Sequence, residues 1–475
     1  MGGSINIAVS DLNADLKPDL AVVNRDVGMV TVLLNRGQEQ FGSGSIIPDG
    51  VNNVSTLADI DNDGYADLIG LTNDSTTTYG KALYIYRNLR NGRFAPPVYQ
   101  SLQVEVSAIS SADLNNDGWT DLVTTNVNKN SISVILNNQR GLFNPPVHYT
   151  PALNISQAHS AILIDINQDG YTDIITLNSG GLSSSGFTVF TNQRNGKFVP
   201  SGLYSVNYGH LQDYDVADMN GDGLPDISLL YYAYPFNAPS FFFIRLYSNQ
   251  GNGIISAPTD YTLANGASTL KCIDLDADGR MDWLISAYSL GTHLIRNLGN
   301  GAFDLLGSQV IAEPGNLLTV NDMNDDSLPD LYIFSYGSTN QYDGRRTVTL
   351  WMNTGAGGFT KAFAFPLGFF NALATGDLNR DGRPDVLTGA IYGMYLWYNQ
   401  LPSARWGIRS AKAGSWNEPQ TWLQSRVPIA TDHVLIRHDV QLPAAQLSKA
   451  TRIGLEVTGR LHYGPNARLR IVKKP

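Results

Sequence analysis

The chain has 475 residues, of which 43% are hydrophobic and 10% aromatic, a composition that supports a folded core and excludes a disordered chain. Its formal net charge is −10 and no basic stripe is present, so a nucleic-acid-binding surface is not expected. No apolar run reaches 18 residues, which excludes a membrane-spanning helix, and the single cysteine excludes an intrachain disulfide.

The acidic residues are almost all aspartates, and they recur in one pattern. Only five of the 42 acidic residues are glutamates, and the shorter aspartate suits loops in which carboxylates and backbone converge. The pattern Asp-x-(Asn/Asp)-x-Asp-(Gly)-x-x-Asp is called the acidic loop here, with positions one to nine. It occurs eight times at intervals of 48 to 56 residues. Loops one to eight open at Asp11, Asp59, Asp113, Asp165, Asp218, Asp274, Asp322 and Asp377.

The segments between the acidic loops repeat as well. A short apolar stretch precedes each loop, as at 160–164, and a second follows it, as at 121–125. A third stretch ends in asparagine, as at 32–35, and an Asn-Gly turn then leads to phenylalanine, as at 91–94. Runs of β-branched and aromatic residues bounded by such turns predict antiparallel strands. Three clear strands and a weaker fourth per repeat predict an all-β fold, a β-propeller of four-stranded blades.

The chain changes character after about residue 400. The acidic loop is absent beyond this point, and short strand-like runs alternate with turn residues. We therefore predict a propeller over 1–400 and a small β-rich module over 415–475. The intervening 401–414 is expected to be a linker or a strand that closes the last blade.

The acidic loop, the strands after it and the Asn-Gly-x-Phe turn resemble the FG-GAP/VCBS repeat of integrin α-subunit propellers and of many secreted bacterial proteins. The resemblance covers about residues 5–400. It implies that each loop joins the two innermost strands of a blade and binds calcium. Integrin-type propellers have seven blades, whereas the eight loops favour eight blades here, with seven and a partial unit as the alternative. The stretch 415–436 resembles the start of a G8-like module of secreted proteins.

The residues of the acidic loop also indicate a metal site by themselves. Calcium takes about six to eight oxygen ligands, and alternating residues of a tight loop can direct their oxygens to one point. The beginning of the loop matches the EF-hand pattern. However, aspartate at position nine replaces the EF-hand glutamate at position twelve, and strands replace the flanking helices. The alternative is a turn without metal that caps a hairpin.

Positions one, three, five and nine are expected to supply side-chain oxygens, and position seven its backbone carbonyl, to as many as eight calcium ions. Eight such ions would change the formal charge from −10 to +6. Leu16 and Ser327 replace the position-six glycine, and a side chain fits there only if the turn avoids positive φ, so weaker or absent metal is the alternative at these two loops. Both loops are kept as expected sites because their four side-chain ligand positions are intact. The predicted ligands are Asp11, Asn13, Asp15, Lys17, Asp19, Asp59, Asp61, Asp63, Tyr65, Asp67, Asp113, Asn115, Asp117, Trp119, Asp121, Asp165, Asn167, Asp169, Tyr171, Asp173, Asp218, Asn220, Asp222, Leu224, Asp226, Asp274, Asp276, Asp278, Arg280, Asp282, Asp322, Asn324, Asp326, Leu328, Asp330, Asp377, Asn379, Asp381, Arg383 and Asp385.

Several loops expected on the opposite face of the propeller are long and aromatic. Exposed tyrosine beside arginine suits sugar stacking or a protein interface, and the alternative is packing of these rings between blades. The predicted ligand-binding residues are Tyr204, Tyr208, His210, Tyr231, Tyr232, Tyr234, Tyr336, Tyr342, Arg345 and Arg346.

The sequence favours a binding protein over an enzyme. It contains none of the sequence motifs of zinc metalloproteases, α/β-hydrolases or nucleotide-binding enzymes. We expect a calcium-binding, secreted or cell-surface adhesion protein that recognises a glycan or an extracellular protein. The alternative is a carbohydrate-active enzyme of the polysaccharide lyase type on the same propeller. The first residues do not resemble a signal peptide, so the location is expected from the family resemblance alone.

Overall fold

The structure is a computed structural model, and it separates the chain into two compact units. The larger comprises Met1–Asn321 and Leu328–Tyr398, and the smaller comprises Asp322–Ser327 and Asn399–Pro475. The residues that the structure describes are 5–24, 29–37, 41–47, 51–72, 80–91, 93–126, 131–151, 158–179, 185–206, 209–233, 240–263, 266–287, 291–305, 309–312, 316–324, 326, 328–336, 346–355, 357–367, 370–378, 383–390, 393–399, 408–409, 412–422, 427–428, 433–436, 439–442, 447–450, 452–455, 460–463 and 468–471.

The larger unit consists of antiparallel sheets in chain order, and we name each repeat by the number of its acidic loop. Repeats one to four contain β1 (Ile5–Ser10), β2 (Asp19–Asn24), β3 (Met29–Asn35), β4 (Phe41–Ile47), β5 (Val51–Ala58), β6 (Asp67–Thr72), β7 (Gly80–Tyr86), β8 (Val98–Ala112), β9 (Asp121–Asn126), β10 (Ser131–Ile135), β11 (Val147–Tyr149), β12 (Ala158–Ile164), β13 (Asp173–Ser179), β14 (Ser185–Asn192) and β15 (Phe198–Val206).

Repeats five to eight continue the same order. They contain β16 (Gly209–Ala217), β17 (Asp226–Ala233), β18 (Phe241–Tyr247), β19 (Thr259–Leu263), β20 (Thr269–Ile273), β21 (Asp282–Ala287), β22 (Gly291–Ile295), β23 (Asn297–Gly299), β24 (Ala302–Phe303), β25 (Gln309–Ala312), β26 (Asn316–Asn321), β27 (Asp330–Tyr336), β28 (Arg346–Gly355), β29 (Gly358–Leu367), β30 (Phe370–Gly376), β31 (Asp385–Ala390) and β32 (Gly393–Trp397).

Each acidic loop connects the first two strands of its repeat. In repeat four the sheet order is β12-β13-β14-β15, and the same simple order recurs in repeats one, five and seven. The long strand β8 is the last strand of repeat two and the first of repeat three, so these repeats share one seven-stranded sheet. The second strands begin at the aspartate of position nine, which places this residue at the edge of the core.

Apolar side chains fill the spaces between consecutive repeats. The middle strands β9 and β10 are buried along their whole lengths, because neighbouring sheets cover both of their faces. Leu20 and Val22 of repeat one pack in one cluster with Leu378 and Leu387 of repeat eight. The first and the last repeat are therefore neighbours, and the sheets of the larger unit form a closed circuit. The fold is a β-propeller, which confirms the all-β prediction.

The asparagine that ends the third strand links each repeat to the one before it. Asn137 donates one amide hydrogen bond to the Thr120 carbonyl of its own loop, at 3.2 Å, and another to the Ile60 carbonyl of loop two, at 2.7 Å. Asn35 donates in the same way to the Leu378 carbonyl of loop eight. The other bonds of this type in the larger unit join Asn88 to Leu12, Asn192 to Leu114, Asn249 to Ile166, Asn297 to Met219 and Asn353 to Leu275.

Two carboxylates join the first strands of repeats five and six. The backbone N–H of Leu270 donates to Asp213, and that of Cys272 donates to Asp215, both at 2.8 Å. The hydroxyls of Tyr214 and Ser160 lie 2.9 Å apart and connect the same strand to repeat four. The first strands of these neighbouring repeats are thus connected by hydrogen bonds that involve side chains and not, over their described residues, by backbone-to-backbone hydrogen bonds.

The smaller unit contains short parallel strands. They are β33 (Ile408–Arg409), β34 (Gly414–Ser415), β35 (His433–Ile436), β36 (Asp439–Leu442), β37 (Leu447–Ala450), β38 (Arg452–Leu455), β39 (Arg460–Tyr463) and β40 (Arg468–Ile471), with one 3-10 turn at Pro419–Thr421.

The parallel pairs follow the order β33-β35-β38, β34-β36-β39 and β37-β40, so that strands about twenty residues apart stack on one another. This is the arrangement of a parallel β-helix, in which successive turns stack and form three sheets. The buried rings of Trp416 and Trp422 pack edge to face against each other. Because β33 pairs with β35, these residues do not form an antiparallel strand that closes repeat eight, and that interpretation of 401–414 is wrong for them. No helix in the described part of the chain has the length and hydrophobicity to cross a bilayer.

Replacing Asn137 by alanine should destabilise the propeller. The buried carbonyls of Ile60 and Thr120 would lose their side-chain donor, which costs about 2 kcal/mol of unfolding free energy. Urea unfolding measures this cost. Asn138→Ala is the matched control, because Asn138 accepts one hydrogen bond from the adjacent turn and reaches no other repeat. Equal costs for the two variants would contradict the linking role of Asn137.

Candidate metal centres in the acidic loops

The aspartate at position nine is buried and accepts two backbone hydrogen bonds. In loop three, Asp121 accepts from the N–H of Leu114, at 2.9 Å, and from the N–H of Asn137, at 2.7 Å. Burial raises the pKa of this carboxyl to about 6. The same shift to about 6, with the same cause, occurs at Asp19, Asp67, Asp173, Asp226 and Asp282. The charged form of each carboxyl is thus disfavoured by burial and partly supported by two N–H groups.

The remaining aspartates and asparagines of the loop are oriented by the loop backbone. Asp113 accepts from the N–H groups of Asp117 and Gly118, at 3.1 and 2.8 Å, and Asn115 accepts from the N–H of Asp117 at 3.0 Å. Asp117 accepts from the N–H of Trp119 at 2.9 Å. Equivalent bonds organise loops four, five and six. The loop backbone therefore fixes the orientation of the side chains at positions one, three and five.

Loops two and six bring three carboxylates together. One oxygen each from Asp59, Asp61 and Asp67 lie within 4.8 Å of one another, and Asp274, Asp276 and Asp282 form an equivalent group. Oxygens that share one calcium ion at about 2.3–2.6 Å must lie within about 5 Å of each other, so the spacing fits. In addition, Asp61 Oδ1 is buried and makes no hydrogen bond within the described structure. A carboxylate oxygen of this kind could accept a cation.

The conformation of the loop explains its glycine. Gly64 and Gly118 have φ of +87° and +83°, and a Cβ at either position would meet no atom within 4 Å. Glycine is therefore required here for its backbone conformation and not for space. Leu16 adopts φ of +66° at the equivalent position of loop one, with its side chain 75% exposed. This turn does not avoid positive φ: loop one keeps the shared conformation and accepts the strain of a side chain in it.

Cationic or amide side chains cover the position-five aspartate. Arg90 bonds Asp63 at 2.9 Å in loop two, and Arg194 bonds Asp169 at 3.1 Å in loop four. The residues in this role come from two places: the turn after the third strand supplies Arg90, Gln139 and Arg194, while position seven itself supplies Lys17 and Arg280. The sequence pattern predicted only a backbone carbonyl role for position seven, and it did not predict a role for the turn residues.

A signal for these turn residues is present in the sequence. Where position seven is Tyr65, Trp119 or Tyr171, the residue two places after the strand-ending asparagine is arginine or glutamine. Where position seven is lysine, leucine or arginine in loops one, five, six and seven, that residue is glycine. A Cβ added to Gly37 would lie within 4 Å of the Lys17 side chain, and a Cβ added to Gly251 would lie within 4 Å of the Leu224 side chain. The side chain at position seven and the side chain of the turn residue would therefore occupy the same volume.

A second pairing concerns position three. Only Asp61 and Asp276 place a carboxylate there, and only in these two repeats does arginine precede the strand-ending asparagine. Arg87 lies 3.9 Å from Asp61, and Arg296 lies 3.7 Å from Asp276. Arg87 also donates to the carbonyls of Arg140 and Gly141 in the next repeat, at 2.7 and 3.0 Å. Each additional carboxylate at position three thus has an arginine within 4 Å of it.

Loops seven and eight are described in part. Within the smaller unit, Asp326 donates its N–H to Asp322 and Asn324, at 3.1 and 3.0 Å, and Asn399 donates to the Met323 carbonyl at 2.6 Å. Asp330 and Leu328 belong to the larger unit. In loop eight, Asp377 and Arg383 are half-buried and Asp385 is buried, whereas Asn379, Asp381 and the Ser327 of loop seven lie outside the described residues.

The predicted ligand-binding tyrosines are only partly at the surface. Tyr231 is fully buried in β17 and stacks on Phe243, so its predicted place in an exposed loop is wrong. Tyr204 is half-buried and stacks on Phe187 at 4.5 Å. His210 and Tyr232 are half-buried partners across β16 and β17, and Tyr336 pairs with Arg346 across β27 and β28. The predictions that lie outside the described residues are Tyr208, Tyr234, Tyr342 and Arg345.

Replacing Arg87 and Asp61 by the neutral residues found at the equivalent positions of repeat three should measure the coupling between these two charges. Arg87→Leu alone should cost about 1 kcal/mol of unfolding free energy, because Asp61 keeps its charge without its partner. Asp61→Asn alone should cost less, because burial and the neighbouring Asp63 already raise the pKa of the Asp61 carboxyl. The double variant reproduces Asn115 and Leu136 of loop three and should cost less than the sum of the single variants. Urea unfolding of the four proteins in EDTA measures the coupling. Additive costs, to within about 0.3 kcal/mol, would exclude it.

Comparison with known proteins identifies the repeat. The model of the FG-GAP-like repeat matches residues 11–70, 59–124, 113–176, 165–229 and 322–388, which together exceed half of the chain. Every matched segment begins at the first aspartate of an acidic loop, and all five extend through the next loop. No curated protein shows significant similarity.

Two solved structures are similar at a low level. One concerns recognition of non-reducing terminal N-acetylglucosamine by an Agrocybe aegerita lectin, with 19% identity and a TM-score of 0.41 over 63% of this chain and 79% of that one. The other is BBS1N in complex with ARL6DN, with 12% identity and a TM-score of 0.40 over 84% and 93% of the two chains. Similarities at this level carry no information on the ligand. On the match to its repeats, the chain belongs to the FG-GAP-like repeat family.

Proposed function

We propose that the acidic loops bind calcium and that the propeller so stabilised is a binding protein of the cell exterior. The observation that supports the metal most directly is the convergence of three carboxylates in loops two and six, with one buried Asp61 oxygen that has no hydrogen-bond partner in the described structure. Positions one, three, five and nine would supply side-chain oxygens. Position seven would supply its carbonyl.

The chemistry of the donors favours calcium over other metals. All proposed donors are carboxylate, amide or carbonyl oxygens, and no histidine or cysteine belongs to either of the two carboxylate groups. Hard oxygen donors suit calcium and magnesium, whereas zinc and copper favour nitrogen and sulfur. Magnesium demands a smaller and more regular octahedral shell than a loop of this size provides.

The proposed role of the ion is structural. The ion would lie between the first two strands of a repeat, where it offsets the buried negative charge of position nine. It would also compete with the cationic side chains that cover position five, such as Arg90. Because binding requires the folded loop, metal binding and folding become one equilibrium.

A binding surface is proposed at the end of β17 remote from its acidic loop. Phe241 is 40% exposed at the start of β18 and lies beside Phe243 on one face of the sheet. Tyr232 stacks on Phe242 on the other face, with 4.5 Å between ring centres. His210 lies opposite Tyr232 on β16. Aromatic rings beside an imidazole suit stacking on a glycan and contact with a protein alike. We therefore propose a glycan or an extracellular protein as the ligand, and a secreted or cell-surface location.

Removal of calcium should lower the melting temperature of the protein. In EDTA the acidic loops would lose the cation that offsets their charge, and stability should fall by about RT ln(1 + [L]/Kd) per occupied site. Differential scanning calorimetry in EDTA, excess calcium and excess magnesium measures the effect. Calcium should restore the transition fully and magnesium poorly. Identical transitions in EDTA and calcium would refute the metal sites.

Truncation of the aromatic surface should weaken ligand binding without unfolding the propeller. Screening against immobilised glycans and extracellular proteins, with and without calcium, identifies the ligand. Phe241→Ala should then lower affinity about tenfold, since it removes an exposed ring. Phe363→Ala on β29 of repeat seven is the matched control, because it removes a ring that is 52% exposed on another repeat. An equal loss of affinity in both variants would show that the ligand does not bind at the proposed aromatic surface.

A further inference from the structure

Four successive acidic loops are joined directly by side chains. The amide of Asn62, at position four of loop two, donates to the carbonyl of Gly118 in loop three at 2.8 Å. Asn116 of loop three donates to the carbonyl of Gly170 in loop four at 2.9 Å, and Gln168 of loop four donates to that of Gly223 in loop five, also at 2.9 Å. The same two positions, four and six, are used each time. Loops two to five thus form a continuous series.

The backbone conformation of position four is part of this arrangement. Asn62, Asn116 and Gln168 have φ of +54°, +56° and +56°. Asparagine tolerates this left-handed conformation better than most residues, because its short polar side chain can bond nearby backbone. Loops one and six carry Ala14 and Ala277 at the same position with positive φ, and alanine has no donor. The series is therefore specific to loops two to five among the loops whose position four is described.

The peptide group that receives each bond also belongs to the proposed metal site. In loop three the carbonyl of Gly118 accepts from Asn62, while the N–H of the same peptide, on Trp119, donates to the Asp117 carboxylate at 2.9 Å. A hydrogen bond at one end of a peptide group strengthens the bond at its other end. Asn62 itself lies between Asp61 and Asp63, two proposed ligands of loop two. Movement or charge neutralisation in one loop thus acts on the next through two hydrogen bonds.

We infer that loops two to five bind their metal ions cooperatively, with the position-four amides carrying the coupling from loop to loop. This inference rests on the proposed calcium sites and adds the regulation of one site by its neighbour. The bonds lie at the surface, so each contributes at the low end of the range for a neutral hydrogen bond. The expected coupling is about threefold in affinity per link. Loops one and six should bind independently of this series.

Loop three offers a selective optical probe. It is the one loop with tryptophan at position seven, Trp119, so terbium bound there should give luminescence on excitation of the indole. Trp283, Trp351 and Trp397 also lie close to acidic loops, so the loop-three signal is the part of the luminescence that Trp119→Phe removes. The terbium midpoint at loop three is then measured in four full-length proteins. They are the native chain, Asp59→Asn with Asp63→Asn to disable loop two, Asn62→Gly, and the combination of the three changes.

The coupling predicts an unequal response in the two backgrounds. With Asn62 present, disabling loop two should raise the midpoint at loop three about threefold, whereas in the Asn62→Gly background it should have no effect. Glycine keeps the required backbone conformation, as Gly221 does with φ of +81° in loop five. Asn62→Gln should restore the coupling, because Gln168 is the donor in loop four. Far-UV circular dichroism verifies the fold of each variant.

The outcomes separate the two proposals. If Trp119 sensitises no terbium in the native chain, both the metal site of loop three and the coupling fail. If terbium binds with the same midpoint in all four proteins, the metal sites stand and the coupling is refuted. Should the loop-two variant not fold, the single variants decide: Asn62→Gly should raise the midpoint at loop three and Asn62→Gln should not, and equal midpoints would overturn the inference.

Discussion

The structure depends on one buried carboxylate per repeat, the aspartate at position nine. Asp121 holds the N–H at the start of its acidic loop and the N–H of Asn137 at the end of the third strand. The amide of Asn137 in turn holds the loop of the preceding repeat. The side chains of Asp121 and Asn137 therefore connect the acidic loop to the third strand of its own repeat and to the loop of the preceding repeat. Any change that moves this carboxylate alters both the candidate metal site and the circuit that closes the propeller.

This arrangement concentrates negative charge, and the chain offsets it in different ways. Burial raises the pKa of the position-nine carboxyls, so their charge is costly at neutral pH unless donors or a cation lie nearby. Backbone N–H groups supply part of the compensation, and arginines such as Arg90 supply more. Where a further carboxylate is added at position three, as Asp61, an arginine is added beside it. The acidity of the sequence is thus a local property of the loops.

The sequence predicted the features that repeat and missed those that depend on contacts between distant residues. Loop spacing and strand patterns were sufficient for the all-β fold, because each repeat carries the same local signals. Arg90 escaped notice because its partner, Asp63, lies 27 residues earlier and only the folded turn brings them together. Tyr231 looks like a surface residue in a polar, aromatic segment, but its strand lies between two sheets. The parallel pairing of β33 with β35 likewise has no local signature.

The acidic loops look equivalent in sequence but are not equivalent in their connections. Loops two to five are linked by Asn62, Asn116 and Gln168, whereas Ala14 and Ala277 make no such link from loops one and six. All described repeats share the asparagine bonds and the apolar packing, which hold the circuit whether or not ions are bound. The proposed ions would therefore add stability unevenly along the circuit. Repeats two to five can respond as one segment, and the junction of repeats eight and one relies on Asn35 and the cluster around Leu378.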